Sequence, residues 1–281
     1  MKFSIKNISL TASALALSLV SMQMQAQVLD PSDDGIIPDP PKRHHENRVI
    51  EYPFLREIDM IWSTRHWERI VVKEKINLSL YYPEVPLPDR KSLFDVIIDG
   101  IINENTISEV FDDDRFTRPL TIEEVTNIIE RIDTIFDPDD PSVILAIDPQ
   151  RLRPKDVIAW DIKSDWYFDK QRGEMKNRII GISPRVKDAL GDTYNLFWIW
   201  FPDARYALST HLVYNMHNNN ARLSFDQLLH LRQFNSIIYK EENVYDRTIA
   251  DYKRNIAMDM LLESQLIREN LRNKEHDMWE F

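Results

Sequence analysis

Few side chains in this sequence are spaced for chemistry. His44, His45 and Glu46 stand together and are of metal-binding types. Their Pro-rich surroundings offer no rigid scaffold for a preorganised site. His211 and His217 are six residues apart around the polar run 217–220, and spacing nominates no third ligand. The runs Asp112-Asp113-Asp114 and Asp137-Pro138-Asp139-Asp140 lack the Gly and terminal Glu of a calcium loop. They read as a solvated loop and a helix terminator. A carboxylate pair for hydrolysis needs a fixed separation, and with 46 acidic residues some pair always looks suitable. There is no Cys, which removes thiolate nucleophiles, thiolate metal sites, disulfides and Cys-linked lipid. Walker, G-x-S-x-G and H-E-x-x-H patterns are also missing, and Gly occurs only 5 times. No catalytic, cofactor-binding or metal-binding residue is assigned, and the expectation is a protein that is not an enzyme.

Two features are more specific. The apolar run Asn195–Phe201 ends directly at Pro202, and Asp203 and Arg205 follow two apart. This reads as a strand-ending turn whose Asp accepts backbone N–H groups, with a partner-docking turn as the alternative. Trp160, Trp166, Trp198 and Trp200 cluster in one region, and Trp198 and Trp200 share a face if that run is a strand. They suit an aromatic core face, a protein interface or a sugar-stacking surface.

The elements that would position these residues follow from periodicity. Leu55, Ile58, Trp62 and Arg65, then Ile70 and Val71, recur at helical spacing. Leu78–Arg90 is a Pro-broken loop. Ser92 caps a helix buried along Phe94, Ile97, Ile98 and Ile101, and Thr121 with Glu124 is a capping box leading into Val125, Ile128, Ile129 and Ile132. Val157–Asp169 mixes β-branched and aromatic residues, Gln171–Glu174 reads as a turn, and Met175–Ser183 returns as a strand. Ser224 and Gln227 open a helix with Leu228, Leu231, Phe234 and Ile238 along one side. Asn243 is expected to cap a second, longer helix striped by Tyr245, Ile249, Tyr252, Ile256, Met260 and Leu266 or Ile267. Its seven-residue steps (245 to 252, 249 to 256) allow coiled-coil-like packing, with a long amphipathic helix packed on its own domain as the simpler reading. The predicted class is α+β: N-terminal helices, a central antiparallel sheet and two long C-terminal helices.

The 281 residues form a chain with Lys+Arg 35 and Asp+Glu 46, a formal net charge of -11. That surface repels phosphate backbones, so nucleic acid is not an expected partner. Met1–Asn7 carries Lys2 and Lys6, Ile8–Val20 is apolar, and Met24-x-Ala26 suits cleavage. Residues 1–26 are therefore expected to be an export signal. The apolar run is short of the ~20 residues that span a bilayer, and direct membrane insertion is not expected. Gln27–Asn47 holds four Pro and four Asp and reads as an extended arm within 27–50. Residues 51–281 are expected to form one globular domain.

Five segments carry a family resemblance: LYYP (Leu80–Pro83), SLFDVIIDGI (Ser92–Ile101), RIIGISP (Arg178–Pro184), LFWIWFPDAR (Leu196–Arg205) and SFDQLLHLRQFNSIIYKEENVYDRTIADY (Ser224–Tyr252). Together they resemble the gliding-motility protein N family (GldN, also called PorN), from about Tyr52 to Tyr252. The resemblance implies a non-enzymatic periplasmic component of the type IX secretion system of Bacteroidetes. It implies association with an outer-membrane lipoprotein (the K component), self-assembly in a ring, and contact with the M component of the inner-membrane motor. On that reading Phe201, Pro202, Asp203 and Arg205, with Asn243, Tyr245, Asp246 and Arg247, are expected to shape a docking surface. A periplasmic carbohydrate- or peptidoglycan-binding module using the Trp cluster is the alternative.

Overall fold

The computed structural model describes residues 49–87, 90–136, 144–187, 191–214, 223–254 and 256–278. The expected export signal, the Pro-rich arm to residue 48, His44, His45, Glu46, His217 and Asp137–Asp140 lie outside them. In chain order the strands are β1 (Met60–Val71), β2 (Val110–Phe111), β3 (Glu130–Phe136), β4 (Ile144–Arg151), β5 (Val157–Asp169), β6 (Glu174–Lys187), β7 (Thr193–Asn195), β8 (Trp198–Trp200), β9 (Leu212–Val213), β10 (Leu223–Ser224) and β11 (Ile237–Glu241). The helices are α1 (Leu78–Tyr81), α2 (Leu93–Ile98), α3 (Ile122–Ile129), α4 (Phe201–Thr210), α5 (Phe225–His230), α6 (Ile249–Tyr252) and α7 (Ala257–Asp277).

The fold is α+β, built on a seven-stranded antiparallel sheet in the order β11-β1-β5-β6-β8-β2, with β7 beside β6. The centre is the long β5–β6 hairpin. Gly173 closes its turn at φ +63, where a Cβ would be strained, and donates its N–H to Asp169 O at 2.8 Å. Side chains alternate between faces. One face presents Ile70, Trp160, Ile162, Ile182 and Ile199 to α2, α4 and α5, whose Phe94, Ile97, Leu208, Phe225 and Leu229 complete the main core. A small satellite core of Ile238, Ile249 and Ile267 lies under α7.

The opposite face is a ladder of charge. Register places Arg65 opposite Asp165, Trp67 opposite Lys163 and Arg69 opposite Asp161. Arg65 binds Asp165 at 2.6 and 2.9 Å, and Arg69 binds Asp161 at 2.7 and 3.0 Å. Arg185 of β6 reaches the same Asp161 at 3.4 Å. Cross-strand pairs of opposite charge are the unit that stabilises such a face.

Several sequence expectations are corrected. Residues 60–71 are a strand and not a helix. Their neighbours β5 and β11 cover both edges, and charged residues on the strand hide the period-two pattern. The helix after Thr121 stops at Ile129, because Glu130–Phe136 pairs with β4. The Asn195–Phe201 run divides: Phe201 leaves the sheet and opens α4. The C-terminal part holds one long helix, not two. The helix after Ser224 ends within two turns, Arg232 takes φ +52, and Ile238 belongs to β11. Asn243 caps no long helix. It organises a loop, α6 follows, and Arg254 at φ +53 breaks the path before α7. The seven-residue steps from Tyr245 and Ile249 therefore make no continuous stripe.

Candidate functional site

The Phe201–Arg205 segment forms the first turn of α4 and serves the interior more than the surface. Pro202 sits where a missing N–H costs the helix nothing. Asp203 Oδ2 accepts the backbone N–H groups of Ser108 (2.7 Å) and Glu109 (2.9 Å) and the Ser108 hydroxyl (3.3 Å). A carboxylate is favoured at a helix N-terminus, and this one ties α4 to the segment entering β2. The expected accepting role is thus met by N–H groups almost a hundred residues upstream.

Phe201 and Arg205 are buried. Arg205 grips Asp226 of α5 with Nε at 2.8 Å and a terminal nitrogen at 3.1 Å, donates to Ile50 O at 2.6 Å, and lies 4.3 Å over the Tyr52 ring. Burial alone would lower the Arg205 pKa, but Asp226 outweighs it and the net shift is upward. Burial pushes the Tyr52 hydroxyl up. The segment is a joint between α4, α5 and the entering chain.

The loop between β11 and α6 is different. Asn243 folds it into a self-bonded unit: Nδ2 donates to Glu241 O and Arg247 O (both 2.8 Å), and Oδ1 accepts from the N–H groups of Tyr245 (3.1 Å) and Arg247 (3.0 Å). Asp246, at φ +52, is pinned by Lys240 at 2.5 Å and Arg115 at 3.2 Å. The Lys240 hydrogen bond holds its carboxyl below the usual range. This rigid frame leaves Val244 98% and Tyr245 73% exposed, with the Arg247 guanidinium 4.3 Å over the Tyr245 ring.

The segment 112–117, expected to be only a solvated loop, links the two regions. Asp113 accepts the Thr117 N–H (3.0 Å) and hydroxyl (2.7 Å) and shapes the turn. Asp114 accepts the Trp67 indole N–H at 2.9 Å, and its carbonyl accepts from Lys163. Burial draws Lys163 below its ordinary pKa, with Asp114 opposing. Phe116 packs edge-on against Phe111 and Trp200, while Arg115 binds Asp246. The sequence signal for the turn was the Asp113–Thr117 spacing, but nothing local marks the reach to Trp67.

Trp160 and Trp198 are buried, while Trp200, 36% exposed, packs edge-on against Phe116. Among the described residues, no three His, Asp or Glu side chains are grouped to hold a metal. Among them too, no helix is long and apolar enough to cross a membrane. No curated protein matches the chain. The protein family described as gliding motility associated protein GldN matches residues 55–280.

Proposed function

We propose, since this chain belongs to the gliding motility associated protein GldN family, that it is a non-enzymatic structural subunit of the gliding and type IX protein secretion machinery. The match over residues 55–280 carries this reading. In it, residues 1–26 direct export and the subunit works in the periplasm. It associates with the outer membrane through a K-type lipoprotein, builds a ring with it, and touches the M-type component of the motor. Residues 51–281 act as one domain, and the arm 27–50 reaches a neighbouring subunit.

A closed ring needs two different surfaces that meet in every copy. The loop 242–247 is suited to be one of them. Partner hot spots are rigid, exposed aromatic or aliphatic anchors beside Arg, and rigidity lowers the ordering cost of binding. Val244, Tyr245 and Arg247 meet that description, and Asn243 and Asp246 hold them in place. Phe201 and Arg205 would act at a distance, by fixing the scaffold, while Pro202 and Asp203 lie nearer the surface.

Light scattering after gel filtration tests this reading on residues 27–281, alone and mixed with the K-type lipoprotein made soluble by removal of its lipid-bearing Cys. A stable heterocomplex is expected; separate elution at micromolar concentration overturns the direct partnership. Val244→Asp with Tyr245→Ala should leave melting within about 0.5 kcal/mol of the parent, as exposed positions do, and should abolish the heterocomplex. An intact complex moves docking away from this loop.

A further inference from the structure

A cavity of about 430 Å³ opens where α1 gives way to the following loop, a size in the range of ligand pockets. Its lining is mostly apolar: Leu78 of α1, Tyr82, Pro83 and Leu87 after it, and Tyr214 beyond β9. These side chains are open to water, with Tyr82 52%, Leu87 41% and Tyr214 48% exposed. Apolar surface gathered in one hollow and left exposed marks an interaction site.

Local bonds hold the lining in place. The Tyr82 N–H donates to Leu78 O at 3.0 Å, and the Tyr82 ring meets Tyr81 edge-on at 4.8 Å. The Tyr81 hydroxyl donates to Glu84 at 3.0 Å. Leu87 and Arg90 exchange backbone N–H bonds at 3.0 and 3.3 Å, and the Arg90 guanidinium lies 5.1 Å over the Tyr214 ring. A lining set before its ligand arrives lowers the ordering cost of binding.

Tyrosine rings beside aliphatic side chains are the surface on which Pro-rich segments dock. Such a segment has little conformational entropy to lose, and its backbone carbonyls, free of internal hydrogen bonds, are open to tyrosine hydroxyls. Arg90 is the charged residue of the lining, which favours an acidic segment over a basic one. This chain carries one: Pro38-Asp39-Pro40-Pro41 has the P-x-x-P spacing, and residues 27–41 hold four Asp and no Lys or Arg. Residues 42–48 join it to Val49 and reach at most about 25 Å, so a neighbouring copy within that distance meets it at high effective concentration. We infer that this cavity receives Pro38–Pro41 from a second copy of the chain. The inference rests on the reading of residues 27–50 as an arm that reaches a neighbouring subunit, and it names the surface reached. Arm and cavity are different surfaces of one chain, so the contact is head-to-tail, the kind that closes a ring.

Fluorescence anisotropy of a labelled peptide of residues 33–41 tests the cavity. The receptor is the chain 27–281 carrying Pro38→Ala, Pro40→Ala and Pro41→Ala, so that its own arm does not compete. Saturable binding is expected, lost when the peptide carries the same three changes. Tyr214→Ala and Leu87→Asp in the receptor should each weaken it at least about tenfold, as loss of an interface anchor does. Both positions are exposed, so melting should stay within about 2 °C of the parent. No saturable binding, equal binding of the altered peptide, or unchanged affinity in Tyr214→Ala or Leu87→Asp overturns the site. Light scattering above the measured Kd tests the second copy. The Tyr214→Ala chain with its arm intact, and the arm variant with its cavity intact, should each lose the self-association of the parent, and mixing them should restore a 1:1 pair. A parent that stays monomeric, or no pair on mixing, overturns exchange between copies, and if the peptide still binds it is the neighbour-reaching arm that has failed. Arm-dependent self-association without peptide binding leaves that arm standing and removes this cavity.

Discussion

Replacing Arg205 with Met should destabilise the domain more than any conservative surface change. The reason is what it leaves behind. Asp226 is 1% exposed and would be left buried without the 2.8 and 3.1 Å bonds that satisfy it. Removing one member of a buried ion pair costs about 3–5 kcal/mol. The same guanidinium lies over Tyr52 at 4.3 Å, a desolvated contact of up to about 2 kcal/mol. These contributions share one side chain and do not add, so the expected loss stays near about 4 kcal/mol. For a domain of this size, about 1 kcal/mol moves Tm by about 2–4 °C, which makes the shift on the order of 10 °C. Arg205→Met with Asp226→Leu removes both charges and should return to within about 1 kcal/mol of the parent, as apolar replacement of buried pairs does. Urea unfolding followed by far-ultraviolet circular dichroism measures all four corners of the cycle. A loss under about 1 kcal/mol for Arg205→Met, or a double variant no more stable than the single one, refutes the reasoning.

Two further outcomes follow from buried groups. Burial alone would raise the Glu68 pKa, but Arg232 and the hydrogen bonds from Ser236 and Arg232 outweigh it, so the net shift is downward. A depressed folded pKa contributes stability that is complete above the unfolded value of about 4.3 and is lost as pH falls through the folded one. Glu68→Gln should therefore be clearly less stable than the parent at pH 7, with a gap that narrows as pH drops below about 4. A gap constant from pH 7 to pH 3 in urea titrations would show that the charge is not what stabilises the site. Gly181→Ala should cost about 1–3 kcal/mol by overpacking, since the new Cβ would stand 2.6 Å from Phe116 Cζ and 3.2 Å from Ile199 O. In a Phe116→Ala background the cost should shrink, and simple additivity of the two denaturant-midpoint shifts would argue against that contact.

The hairpin β5–β6 and the helix starts at Ser92, Thr121 and Ser224 were legible because their signals are local. Each cap is a side chain bonding the backbone three residues on, as at Thr121 with Glu124 and Ser224 with Gln227. The strand β1 was not legible. Its Arg65, Trp67 and Arg69 on one face, and His66 and Glu68 on the other, break the apolar alternation that marks a strand. The pairing pattern was nevertheless written in the chain: R-x-W-x-R in 65–69 complements D-x-K-x-D in 161–165 across an antiparallel register. It becomes readable only when two segments about a hundred residues apart are compared. The candidate docking residues were legible as a motif but not as a surface, for Phe201 and Arg205 turn inward while Val244, outside the expected set, is the most exposed large apolar side chain described.

The sequence by itself therefore determined the class, the central hairpin, the capped helix starts and the family, because each depends on neighbours in the chain or on runs of residue type. Tertiary structure alone decided that FPDAR is a joint and that Asp114 answers Trp67 and Lys163. Those features depend on which distant charges share a face once water is excluded, and periodicity along the chain carries no record of that distance.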